Sequence, residues 1–395
     1  VERSEQARAA WAELALAVGG FGIGTGEFAI MGLLPEVAGE LNVTAPQAGH
    51  LISAYALGVV VGAPVLAVLT ARAPRRALLM GLMAAFAAGN FASALAPGYV
   101  SLTLLRFLTG VPHGAFFGVA ALVAAALAKP DGRARAVGRV MLGLTVATVL
   151  GAPLATGFGQ ELSWRVAYAV VGGIGAVSLG LIARFVPDLQ VVEGASPLRE
   201  LGALARGQVW LTLAIGSVGA GGTFAVYTYI TPALTELAGM RPAMVPLVLA
   251  VFGVGMILGN VVGSWLADRA LMATMGGMLV WNAVVQGSFW FTAHHAGAAA
   301  VTVLLIGCGF ALVPALQTRL MDVAADAQTL AASLNHSAFN VANALGAWLG
   351  GLAISAGHGW SSTGWVGTGL ALCGLAVFGV SAALQARSSR AAASF

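Results

Sequence analysis

Twelve apolar runs, each about 20 residues or longer, recur along this chain, and they constrain its fold more than any other feature. They lie near 11–36, 47–70, 76–96, 99–128, 136–159 and 164–186, then 208–234, 243–267, 271–292, 297–319, 329–355 and 362–386. Each is long enough to cross the roughly 30 Å hydrocarbon core of a bilayer as a helix. Composition agrees: hydrophobic residues make up 59% and charged residues only 9% of the 395. A soluble domain carries about 25% charged residues, so no soluble fold of this length could cover its surface. The chain is expected to be an all-α membrane protein.

The longest polar interval lies near 187–207 and divides the runs into two sets of six. The expected organisation is two pseudo-symmetric six-helix bundles, 1–187 and 208–395, joined by a cytoplasmic linker at 188–207. "GAPVLAVLTARAPRR" ends the second run and "GNVVGSWLADRALMA" the eighth. Setting Gly62 on Gly259 also sets Leu69 on Leu266 and Arg72 on Arg269, the weak repeat that a parallel-repeat transporter would show. Sixteen of the 19 Lys and Arg fall in loops on the side of the N-terminus. Cytoplasmic loops attract such an excess, so both termini are expected in the cytoplasm of a bacterial inner membrane. The scatter of these residues, despite a pI near 9.5, fits topology rather than nucleic-acid binding. The polar stretch "VERSEQARAA" shows no cleavage site, so the first helix is expected to insert and stay. Trp11, Trp164, Trp210, Trp265, Trp290 and Trp360 fall near predicted helix ends, as an interfacial belt would have them. Cys308 and Cys373 lie in apolar runs and read as packing residues.

Two side chains carry an unambiguous charge deep in the predicted spans, Glu27 and Arg106. A central charge costs roughly 2.5–3.5 kcal/mol on insertion scales, so such residues face a cavity or each other. At 1.5 Å per residue, Glu27 lies roughly 12 Å and Arg106 roughly 9 Å from the outer ends of their helices, so the two could meet. Three readings of Glu27 stand: a carrier of the coupling proton, half of a permanent ion pair with Arg106, or a contact for a cationic substrate. His113 shares a helical face with Arg106 and is either a titrating cavity residue or a hydrogen-bonded structural one. Helix 11 presents Ser333, His336, Asn340 and Asn343 on one face, lining a cavity or tying helices together. Tyr227, Tyr229 and Thr231 in helix 7 suit stacking and hydrogen bonding of a neutral ligand. Tyr55, Asn282 and Gln286 are weaker substrate-binding candidates. In helix 5, Gly143, Ala147 and Gly151 recur at four-residue spacing before Pro153 and Gly157, which suits close packing and a hinge.

Several stretches together resemble the major facilitator superfamily. "LADR" at 266–269 is similar to its loop signature, "RFLTGVPHGAFFG" at 106–118 to its helix-4 motif, and "GLTVATVLGAPLATGFGQ" at 143–160 to the antiporter motif of helix 5. "TGEFAIMGLLPEVA" and "LNHSAFNVANALGAWLGG" narrow the likeness to the bacterial drug:proton antiporter-1 family, in its sugar-efflux and chloramphenicol-efflux branch. Ala71 stands where the superfamily usually places an aspartate in the loop after helix 2, whereas Asp268 and Arg269 are present in the second half. The resemblance implies a gating role for Arg72, Asp268 and Arg269, and a hinge or proton seal at Gly151, Pro153 and Gly157.

No GxxxxGK[ST], HExxH or CxxC occurs, so an enzyme is not expected, nor a metal or cofactor. The expectation is proton-coupled efflux of a small organic molecule by alternating access, with the proton gradient as energy source. Its partners would be substrate, protons and lipid, with no nucleic acid, and the protein a monomer. Uptake by symport or uniport is the alternative within transport, and a non-transporting sensor the alternative outside it.

Overall fold

The computed structural model describes residues 2–70, 73–128, 133–188, 202–324 and 328–393. Among these the regular structure is helical throughout. The first helices are α1 (Glu2–Gly32), α2 (Leu34–Leu41), α3 (Ala45–Leu69), α4 (Arg75–Ala94) and α5 (Tyr99–Leu127). Next come α6 (Arg133–Val146), α7 (Ala152–Glu161) and α8 (Trp164–Phe185). The second half contains α9 (Gly207–Gly219), α10 (Gly221–Thr228), α11 (Val245–Thr292), α12 (Ala296–Cys308), α13 (Leu312–Ala324), α14 (Gln328–Ala353) and α15 (Ser362–Ala393). In lipid, a helix is how a single segment satisfies its own backbone polar groups.

Among the described residues, eleven helical stretches are long and apolar enough to cross a membrane, and one of them, Pro242–Thr292, is 51 residues long. That exceeds twice the length of one crossing. Its backbone leaves helical geometry at Ala270 (φ −155°, ψ 71°). Gly263 lies against Ala311 while Asn282 reaches Gly309, so the two sides of Ala270 return to the same height. The chain folds back there, so the described residues make twelve crossings.

Local sequence explains the ends. Thr44 caps α3 through a reciprocal box with Gln47, and Asn42 closes α2 in the left-handed region at φ 53°. Ser163 caps α8 by accepting from the Arg165 N–H. Lipid-facing positions recur at helical spacing, as with Val100, Leu104 and Leu108, all exposed. In water such ladders would be aggregation sites; in lipid they are solvated.

Several boundaries differ from expectation. The polar segment from Glu2 is already helical, and α1 stops at Gly32, with Leu34–Leu41 a separate helix. The seventh run is interrupted at Ala220 and Tyr229. Arg319, at the end of the crossing expected over 297–319, lies inside α13 and is buried, because that helix continues to Ala324. Trp164 is buried rather than interfacial, stacked edge-on against Tyr168. Arg72 lies outside the described residues.

The chain divides into two compact units. One comprises Val1–Pro197 with Arg241–Gly253, the other Leu198–Met240 with Val254–Phe395. In the first, α1 packs on α6 and α8, α3 on α5, and α4 on α5 and α8. In the second, α9 and α10 pack on α14 and α15. The α3–α5 contact is backbone to backbone: a Cβ on Gly58 or Gly62 would collide with the carbonyl of Phe107 or Val111. In the second unit a Cβ on Gly255 or Gly259 would collide with the carbonyl of Leu304 or Cys308. These four pairs share one sequence offset, so the repeat weakly visible in the sequence is a repeated helix crossing.

Candidate functional site

A buried polar group forms inside the first unit where α1, α3, α5 and α8 meet. Arg106, on α5, is fully buried. It donates through Nη1 to the carbonyl of Gly26 at 3.1 Å, the residue before Glu27, so the guanidinium and the acid share a height. Its Cζ lies 4.2 Å from the centre of the Tyr55 ring and 5.5 Å from that of Tyr168. A desolvated cation over an aromatic face gains roughly 2 kcal/mol. Among the described residues, Nε and Nη2 of Arg106 have no hydrogen-bond partner. Glu27 is 7% exposed, and its charge and that of Arg106 both act on the Tyr55 hydroxyl. That hydroxyl shares a 3.0 Å hydrogen bond with His113 Nδ1, two turns along α5 from Arg106. The His113 ring also leans on Phe117.

Sequence placed Glu27, Arg106 and His113 together, and the structure adds Tyr55, which had been assigned to substrate. Two members were not anticipated. Tyr168 is buried with a partnerless hydroxyl, and Asn90 is fully buried, with Nδ2 donating to Phe86 and Oδ1 partnerless among the described residues. A narrow cleft, with room for little more than a water molecule, is lined by Gly26, Ala29, Leu33, Val37, Tyr168 and Val171 and adjoins the group.

Glu27 and Arg106 are not the only charged residues within the helices. Glu13, on α1 and buried, accepts a two-pronged pair from Arg139 at 2.5 and 2.9 Å. Arg319 donates to Gln208 at 3.2 Å and Gln385 at 2.9 Å.

The helix-5 residues sit at a widened turn, Ala147–Gly151, between α6 and α7. The missing N–H of Pro153 and its ring disfavour regular α-geometry there. A Cβ on Gly151 would collide with Thr25, and Pro153 is buried, while a Cβ on Gly157 would meet only the Pro246 ring, at 4.0 Å. Gly143 meets the carbonyl of Ala17 on α1. The equivalent crossing in the second unit is Gly346 on the carbonyl of Gly221. That alignment sets Thr231 opposite Glu27, and the offset of the glycine crossings sets Phe252, Val303 and Phe310 opposite Tyr55, Arg106 and His113. No ionisable group occupies these positions.

The second-unit candidates are used differently from one another. Tyr229 donates its hydroxyl to the Ala347 carbonyl at 2.8 Å, and Gly350 packs on its ring. With its amide oriented to satisfy both ends, Gln286 donates to Gly367 at 2.9 Å and accepts from Thr223 at 3.1 Å. Both residues tie helices together. Tyr227 and Thr231 are buried in the segment that follows the break at Ala220. Asn340 donates to the carbonyl of His336 at 3.0 Å, and the buried Oδ1 atoms of Asn340 and Asn282 have no partner among the described residues. Asn343 is buried and His336 half-buried. Asp268 and Arg269 are exposed beside the Ala270 turn, with Arg269 stacked 3.7 Å over Trp265.

Comparison with known proteins agrees with this architecture. A family model described as Major Facilitator Superfamily matches residues 16–335. The "Inner membrane transport protein YdhP" of Escherichia coli K12 is 44% identical over 351 residues, 88% of this chain and 90% of that one. The "Chloramphenicol resistance protein" of Streptomyces lividans is 34% identical over 341 residues, 84% of this chain and 86% of that one. The fold also matches the crystal structure of a bacterial homolog of the human lysosomal transporter Spinster, with a TM-score of 0.71 and 18% identity over 97% of each chain.

Proposed function

The chain belongs to the major facilitator superfamily, and on that premise we propose that this multi-pass membrane transporter exports a small organic molecule in exchange for protons. Glu27 is the proton site in this reading. Burial raises a carboxyl's proton affinity and a neighbouring guanidinium lowers it. Movement of Arg106 relative to Glu27 during alternating access would load and unload the acid. His113, held by Tyr55, fixes the aromatic face on which Arg106 rests. Tyr227, Thr231, His336, Asn340 and Asn343 contact substrate. Tyr229 and Gln286, with their polar atoms already engaged, hold the helices that carry them. The widened turn before Pro153 is the flexible or sealing element, and Asp268 and Arg269 act in gating. Both termini lie in the cytoplasm of a bacterial inner membrane, and a monomer suffices.

The observation that supports this reading best is Arg106, fully buried at the height of Glu27, with two donors that have no partner among the described residues. Efflux rather than uptake is supported by the name of the Streptomyces relative, chloramphenicol resistance protein. The test uses everted or reconstituted vesicles with an acid interior and chloramphenicol as probe. Antiport predicts that adding the probe outside drives proton exit, and that Glu27→Gln abolishes this exit. Equal proton movement in Glu27→Gln would assign Glu27 to a permanent ion pair. Protons moving in the same direction as the probe would make the protein a symporter.

A further inference from the structure

The second unit holds a buried cation that the transport reading leaves unused. Arg319, on α13, is 6% exposed. Its Nη2 donates to the Oε1 atoms of Gln208 on α9 and Gln385 on α15, at 3.2 and 2.9 Å. Gln208 is locked in turn: its Oε1 accepts from the Ser381 hydroxyl at 2.7 Å, and its Nε2 donates to the Ser381 carbonyl at 3.2 Å. Three helix ends thus close around one guanidinium. The amide oxygens solvate it but bring no negative charge. Among the described residues its Nε is sealed by protein without a partner, and its Nη1, also without one, is the end of the fork left open. Asp322, three residues on along α13, is exposed, acts on the guanidinium through space and forms no ion pair with it. An arginine stays protonated in a protein, and a buried charge without a counter-charge is costly.

A second cation stands beside the first. Arg206, directly before α9 and exposed, donates through Nη1 to the carbonyl of Val323 at 3.2 Å. Val323 is one turn, roughly 6 Å, beyond Arg319 on α13. Arg206 is also the cap residue of α9 and makes no side-chain bond to its first turn, so the positive end of that helix adds to the field. This place is at the surface, because Gln385 is exposed and a single hydrogen bond joins it to Arg319. It is also at the edge of the lipid. Trp210, 56% exposed on the first turn of α9, ties its Nε1 to the Leu204 carbonyl at 2.7 Å, in the manner of an interfacial tryptophan. At the level of Ser381, α15 exposes Val380 and Leu384. Basic pockets between membrane helices take anionic headgroups, and guanidinium groups suit phosphate oxygens.

We propose that Arg319 and Arg206, where α9, α13 and α15 end together, bind the phosphate of an anionic phospholipid. Free phosphate offers the same oxygens, but the exposed apolar side chains of Trp210, Val380 and Leu384 beside the two arginines match a lipid.

The test is native mass spectrometry of the full chain, purified in detergent. The probes are phosphatidylglycerol, phosphatidylcholine with the same acyl chains, and inorganic phosphate. Phosphatidylglycerol binds about tenfold more tightly than phosphatidylcholine. Arg206→Gln, at an exposed position, weakens phosphatidylglycerol about fivefold and leaves phosphatidylcholine unchanged. Arg319→Gln weakens it about tenfold. Arg241→Gln removes the same charge from an exposed position before α11 and keeps the wild-type preference. Inorganic phosphate at the same concentration does not displace the lipid. The site is overturned if the two lipids bind alike, if Arg206→Gln keeps the wild-type preference, or if Arg241→Gln loses it equally. Displacement by inorganic phosphate would overturn the lipid assignment in favour of a soluble anion. Should Arg319→Gln fail to fold, Arg206→Gln alone decides.

Discussion

Arg106 rests 4.2 Å over the ring of Tyr55, and the hydroxyl of the same tyrosine shares a 3.0 Å hydrogen bond with His113. One side chain thus serves a cation with its face and a histidine with its edge. Tyr55→Phe removes only the second contact and is expected to cost about 1 kcal/mol. Tyr55→Leu removes both and costs about 2–3 kcal/mol. Thermal unfolding in detergent checks the order: wild type, then Phe, then Leu. Equal melting of the two variants would mean that the ring face contributes nothing.

The glycine crossings are predicted to be intolerant in both units. Gly58→Val and Gly255→Val push a side chain into the carbonyls of Phe107 and Leu304. Backbone cannot move aside as a side-chain end can, so the loss exceeds the roughly 1–3 kcal/mol of ordinary overpacking. Gly81→Val, with open space around it, is the matched control. Size-exclusion profiles of the detergent extracts should show a monodisperse peak for Gly81→Val and little for the other two.

Glu36, in the short helix between the first two crossings, yields a pH dependence. Burial raises its pKa above the ordinary 4.5, and its Oε2 is buried without a partner among the described residues. A carboxyl whose pKa is higher in the folded state stabilises the fold fully below its unfolded value. That contribution is lost as pH rises through the raised value. The wild type is therefore expected to melt higher in mild acid than at pH 8, to the extent that Glu36 governs the difference. Glu36→Gln should flatten this slope and gain about 1 kcal/mol at pH 8. A slope unchanged in the variant would assign it to other groups.

Near the start of α1, Glu13 is buried while the Arg139 side chain that pairs with it is 54% exposed. Arg139→Ala strands the carboxylate and should destabilise by about 1–2 kcal/mol, reduced by solvent screening of the arginine. Adding Glu13→Gln to that variant should recover part of the loss, because a neutral amide is less costly to leave there. A double variant no more stable than Arg139→Ala would show that the stranded charge is not the cause.

Much of the fold could be read from the chain because lipid imposes a simple rule on it. Crossings announce themselves by length and hydropathy, and a charge inside one stands out, which is why Glu27 and Arg106 were visible. What a polar side chain touches follows a different logic. Tyr229 and Gln286 bond to Ala347, Gly367 and Thr223, and those partners lie on other helices, beyond what spacing along one helix can reveal. Tyr168 and Asn90 escaped notice for the converse reason, since only packing brings them beside Arg106 or Gly26. Arg319 was misplaced because a run of apolar residues ends before the helix does, and its charge is accommodated by Gln208 and Gln385 from helices distant in sequence.

The fold-back at Ala270 bears on how the protein is made. Only one residue between Val245 and Thr292 leaves helical geometry, and the stretch is apolar enough to cross a membrane. Two such crossings, with almost no tether between them, cannot be threaded into lipid one after the other without the second trailing in water. They should enter together, as a preformed hairpin, during synthesis on the ribosome. The birth of the second half would then hinge on a single alanine.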